Sequence, residues 1–134
     1  MIQNKIVAHY QDGSLMKGIT NDFSPNKDIF HLFPQDAPPG SKTLEVRVPE
    51  LKAVFFVKDF VGNPEYNDSK EFASIKPVVG RKIKVVFTDG ELMIGTTHGY
   101  QPNRPGFFVV PADLQSNIER CFVVTSATRE VSFI

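Results

Sequence analysis

The chain has 134 residues, and its fifteen basic and fifteen acidic side chains cancel to zero formal net charge. It therefore lacks the basic excess that strong nonspecific nucleic-acid binding normally leaves, although a small basic patch fits within a balanced total. A single cysteine excludes an intrachain disulfide. No apolar run approaches the roughly 20 residues of a membrane helix, so no membrane partner is expected. The stretch Met1 to Lys5 has no signal-peptide core, which makes the cytoplasm the expected address. Length, with 41% apolar and 22% charged residues, suits one compact globular domain or two very small ones.

Lys5 to Gln11 alternates, with Ile6, Ala8 and Tyr10 on one face and Val7 and His9 on the other, which predicts a strand. Asp12-Gly13 then marks a hairpin turn, because glycine accepts the positive φ that a tight turn needs. Ser14 to Asn21 returns as a second strand. Phe23 to Asp28 is a loop, in which Pro25 fixes φ and Asn26 can close a local turn. Ile29 to Phe33 is a third strand, ended by Pro34, and Pro38-Pro39-Gly40 marks a second loop.

Thr43 to Val48 reads as a half-buried antiparallel strand, with Leu44, Val46 and Val48 facing one way and Glu45 and Arg47 the other. Lys52 to Val57 is a fifth strand in which Ala53 to Val57 is apolar on both faces, so a second surface must cover it, either another part of this chain or another chain. Phe55, Val57 and Phe60 are the candidate interface residues. Residues 59–81 read as a connector docking through Phe60, Tyr66 or Phe72, with a short helical turn near Ser69 to Ala73. From Lys82 the pattern replays.

The replay is a duplication. Lys5 to Pro34 laid on Lys82 to Pro111, an offset of 77, gives 12 identities in 30 positions. Asp12/Asp89, Gly13/Gly90, Gly18/Gly95, Thr20/Thr97, Pro25/Pro102 and Asn26/Asn103 are among them. No segment sustains a 3.6-residue period, so the predicted class is all-β. Five short strands in each copy predict two tandem five-stranded Sm-like or SH3-like barrel repeats, residues 1–58 and 82–134. They are either packed by pseudo-twofold symmetry or joined by exchanged strands.

Enzyme signatures are missing: no GxSxG, no Walker-type GxxxxGK[ST], no HExxH and no GxGxxG occurs. The expectation is no enzyme, no catalytic residue, no cofactor and no metal. His9, His31 and His98 are scattered, Asp12 and Asp89 belong to turn chemistry, and Cys121 sits in an apolar run as a buried, inert thiol. The best candidate sites are the two Pro-Asn loops, Phe23, Pro25, Asn26 and Lys27 in the first and Tyr100, Pro102, Asn103 and Arg104 in the second. Each sets an aromatic, an amide and a cation side by side, which suits stacking on and hydrogen-bonding a planar ligand. The alternative reading is a tight turn whose aromatic caps a core.

The run Gly18-Ile19-Thr20-Asn21-Asp22-Phe23-Ser24-Pro25-Asn26 partly resembles the first Sm motif, which implies a base-reading position for Asn26. The second copy has Gly99 in place of that motif's Asp, and the Arg-Gly of the second Sm motif is absent. A resemblance over nearly the whole chain is carried by Lys17 to Asn26, Phe30 to Pro34 and Leu51 to Phe60. There the sequence is similar to an uncharacterised bacterial domain family, whose members sometimes accompany PilZ-type signalling domains. The PilZ signature for cyclic dinucleotides is itself not present. The function expected is a non-catalytic binding or regulatory module engaging a protein partner or self-associating. The alternative is an RNA- or nucleotide-binding module using the two Pro-Asn loops.

Overall fold

A computed structural model describes residues 4–38, 40–58, 80–101, 103–112 and 118–134. Its strands are β1 (Asn4–Tyr10), β2 (Leu15–Thr20), β3 (Ile29–Pro34), β4 (Leu44–Arg47), β5 (Leu51–Val57), β6 (Arg81–Phe87), β7 (Leu92–Thr97), β8 (Gly106–Pro111), β9 (Ile118–Val124) and β10 (Thr128–Phe133). Among the described residues the only helical turns are Val48–Glu50 and Thr125–Ala127, each a 3-10 turn leading into the next strand. No helix of the described residues is long and apolar enough to cross a membrane.

All ten strands join one antiparallel sheet in the order β10-β6-β7-β8-β9-β5-β1-β2-β3-β4. The order within the first half, β5-β1-β2-β3-β4, is the order within the second, β10-β6-β7-β8-β9. The predicted hairpins lie at β1–β2 and β6–β7. Gly13 and Gly90 both hold φ at 93°, and each donates its N–H to the carbonyl of the strand's last residue, Tyr10 or Phe87. Only glycine takes that conformation cheaply.

The halves join where β5 pairs with β9, with Ala53 opposite Val123, Val54 opposite Phe122 and Phe55 opposite Cys121. This answers what covers the second face of β5. Successive side chains of a strand point to opposite faces. Val54 and Phe56 enter a core with Ile6, Ala8, Phe30 and Leu32 from the first half. Ala53, Phe55 and Val57 enter another with Ile83, Val85, Phe87 and Val109 from the second. β9 returns the arrangement, sending Phe122 and Val124 into the first core and Cys121 and Val123 into the second.

Val7, on the face of β1 opposite Ile6 and Ala8, is buried in the second core. Two expectations change. Leu44, expected on a buried face with Val46 and Val48, is exposed, because β4 ends the sheet and nothing described lies beyond it. Phe55 and Val57, candidates for an interface with a partner, are buried inside the chain against the second half. Residues 59–79 of the expected connector, with Phe60 and the helical turn near Ser69 to Ala73, lie outside the described residues, as does Pro102, while Arg81, its expected last residue, opens β6.

Candidate functional site

The two Pro-Asn loops connect β2 to β3 and β7 to β8, and they close alike. Lys27 donates its N–H to the Ser24 carbonyl at 3.2 Å, and Arg104 donates its N–H to the Gln101 carbonyl at 3.1 Å. These are the closing bonds of four-residue turns, and Pro25 supplies the fixed φ of the first one's second position. A buried threonine anchors each loop. Thr20 Oγ1 donates to the His31 carbonyl at 2.8 Å, and Thr97 Oγ1 to the Phe108 carbonyl at 2.7 Å.

The loops differ at the position before the aromatic. Asp22 accepts the His31 N–H at 2.9 Å, and its other oxygen lies 2.7 Å from His31 Nδ1. Partial burial works against its charge, yet these hydrogen bonds and one from Thr20 hold the carboxyl below the usual carboxylate range. The second loop has Gly99 and Phe108 at the matching places.

The aromatic of each loop turns inward. Phe23 meets Phe30 and Phe122 edge-on with ring centroids 5.2 Å apart, and Phe56 at 5.5 Å. Tyr100 meets Phe107 at 4.7 Å. Both rings cap cores, which leaves the exposed polar side chains Asn26, Lys27, Asn103 and Arg104 as the accessible part of the loops.

Folding brings the two loops to one cleft of about 580 Å³. Pro25 and Asn26 of the first loop line it, facing His98, Gly99, Gln101 and Arg104 of the second; Phe108, Phe122 and Arg120 complete it. Asn103 does not join Asn26. It borders a neighbouring depression of about 470 Å³ with Asp28, and Arg104 borders both. Lys27, Phe23 and Tyr100 line neither.

His98 and Arg120 carry no sequence signal that marks them as site residues. Arg120 lies in β9 with no motif around it, and the pairing of β9 with β5 and with β8 sets it beside the loops. Its guanidinium sits 4.4 Å from the Phe56 ring centre and 5.1 Å from that of Phe108. Arg104 Nε donates to Gln101 Oε1 at 2.8 Å, which fixes the head of that side chain at the rim.

A second polar cluster pins the halves together. Lys52 of β5, with its side chain 12% exposed, reaches Asp89 and Glu91 of the β6–β7 hairpin, both at 2.7 Å. Burial opposes its charge, but the two carboxylates outweigh this and raise its pKa. Asp89 is held below the usual range by the Lys52 hydrogen bond and the Glu91 N–H. Asp89 thus serves the turn, as predicted, and the joint as well. His9 stacks edge-on against Phe55 at 4.4 Å; burial, and then the Lys52 charge, lower its pKa to about 4. Burial pushes the Cys121 thiol up, in keeping with an inert core residue. Among the described residues no three of His, Cys, Asp and Glu gather closely enough to hold a metal ion.

These features define an all-β protein of one antiparallel sheet with a cleft beside its central strands. The chain belongs to the family described as "Family of unknown function (DUF6982)", whose model matches residues 2–134. No curated protein and no solved structure matches it.

Proposed function

We propose that this chain is a non-catalytic binding module, a tandem of two Sm-like or SH3-like barrel repeats fused through one sheet, and that its binding site is the cleft between the Pro-Asn loops. The observation that carries this reading is the meeting of two loops of related sequence at one opening, where Asn26 faces Gln101 and Arg104. A cleft of this size, with a few convergent polar groups over apolar side chains, suits a binding site.

A protein partner is the second reading. It is favoured by Leu44, Phe133 and Ile134, which are 42%, 40% and 60% exposed at the two ends of the sheet. A strand at a sheet edge offers unpaired backbone groups to an added strand.

The test is affinity capture from lysate with the wild-type chain and with the Asn26→Ala, Arg104→Ala double variant, each with and without nuclease. Loss of the captured material in the double variant, at an unchanged melting temperature, supports the cleft. Equal capture by both proteins overturns it. Loss of capture in a Leu44→Lys, Phe133→Lys variant instead supports the edge.

A further inference from the structure

The lining of the cleft is one-sided in charge. Arg104 and Arg120 face it beside the His98 ring, and no Asp or Glu is among the described residues that line it. The whole chain is neutral, so the carboxylates that balance these cations lie elsewhere. Asp22 is tied to His31, and Asp89 and Glu91 are tied to Lys52. An apolar wall beside two guanidinium cations strengthens their pull on an anion, because little water intervenes.

The donors also have a geometry. Arg104 is steadied by Gln101, and the Arg120 guanidinium is held 4.4 Å from the Phe56 ring centre and 5.1 Å from that of Phe108. Arg120 is exposed, and a guanidinium is a planar group on which a base can stack. Asn26 and Gln101 each carry an amide able to donate and accept, as the edge of a base requires.

Resting on the cleft reading above, we infer that its ligand is a nucleotide moiety. Its phosphate lies between Arg104 and His98, and its base stacks on the Arg120 plane within reach of the Asn26 and Gln101 amides. The moiety belongs either to a free nucleotide or to a single RNA strand, which share this chemistry.

The experiment titrates the intact chain with adenosine and uridine monophosphates and, separately, with short single-stranded RNA oligomers, by calorimetry and fluorescence anisotropy over a series of salt concentrations. Binding to either probe is expected to weaken roughly tenfold in Arg104→Gln, as loss of a charged hydrogen bond implies. Arg120→Lys, which keeps the charge and removes the plane, is expected to weaken it by a similar factor. With RNA, Arg104→Gln should lower the slope of log affinity against log salt by about one phosphate contact. Monophosphate binding identifies a free nucleotide, and binding of RNA alone identifies a strand. Absence of binding to both probes overturns the inference, as does binding unaffected by either variant. If capture from lysate still depends on Asn26 and Arg104 in that event, the binding-module reading survives with a ligand of another class.

Discussion

Two strand pairs that hold the same places in the strand order of the two halves meet different fates. β5 and β9 are joined at the centre of the sheet, while β10 and β4 are its two ends. Leu51 and Thr128, which open β5 and β10, stand 77 residues apart, as do Arg47 and Val124, which close β4 and β9. At the joint, β5 turns Ala53, Phe55 and Val57 into the second core. The matching residues are Glu130 and Ser132 of β10 and Ile134 just beyond it. β9 turns Phe122 and Val124 into the first core, and the matching residues of β4 are Glu45 and Arg47. One strand order thus serves two ends: apolar side chains make the joint, and four of the five matching places at the ends are polar. Charges on an edge strand oppose further pairing because pairing would bury them.

The largest effect should come from copying the joint onto the ends. Glu45→Phe, Arg47→Val, Glu130→Ala and Ser132→Phe together are expected to convert the chain into head-to-tail assemblies, since the two ends differ and each would fit the other. Light scattering should read multiples of 15.0 kDa for this variant, and 15.0 kDa for the wild type. A wild type that already assembles through these edges would break the comparison, and so would a variant that stays single.

Removing one joint side chain comes next. Phe122 is fully buried and its ring meets Phe23 and Phe108, both at 5.2 Å. Phe122→Ala should cost about 3–5 kcal/mol in urea unfolding. Glu45→Ala, at the matching place on the end strand, should change stability by no more than about 0.5 kcal/mol. Similar costs at both positions would mean that the joint is not special.

Lys52 and its counterpart Arg129 allow a finer comparison. Lys52 bridges the halves through Asp89 and Glu91 and lies 4.7 Å from the Phe87 ring centre, whereas Arg129 is exposed on β10. Both carboxylates are largely solvated, so Lys52→Met should cost only about 1 kcal/mol. Arg129→Met should cost nothing measurable by the same unfolding assay.

His9 supplies the smallest effect and a sign. Its folded pKa, about 4, is below the ordinary 6.5, so the unfolded chain takes up the proton first. The stability contributed by neutral His9 is complete above pH 6.5 and declines as pH falls from there toward 4. The matching position in the second half is Val86, also buried. His9→Val should therefore flatten the pH dependence of the urea midpoint across that interval, and an unchanged slope would mean that another group titrates there.

Much of this fold is legible in the order of its residues. Asp12-Gly13 and Asp89-Gly90 mark their hairpins because local backbone chemistry decides a tight turn. The two-faced β5 declares that it needs cover, since no solvent-facing strand would carry Ala53 to Val57. The candidate site is less legible. The loops are visible from Pro-Asn, yet Phe23 and Tyr100 turn inward, and Arg120 and His98 carry no local mark. Whether an arginine in a strand faces a cleft depends on which strand lies beside it.

By itself the sequence determined the all-β class, the positions of the turns and the need of β5 for a second neighbour, because alternation, glycine conformation and hydrophobicity act over a few residues. Tertiary structure alone decided that β9 is that neighbour, that two cores form on opposite faces of the central strands, and that Asn26, Arg104 and Arg120 share one cleft. Those outcomes depend on pairing between segments more than sixty residues apart, in a register set by how side chains from both halves fill a common interior.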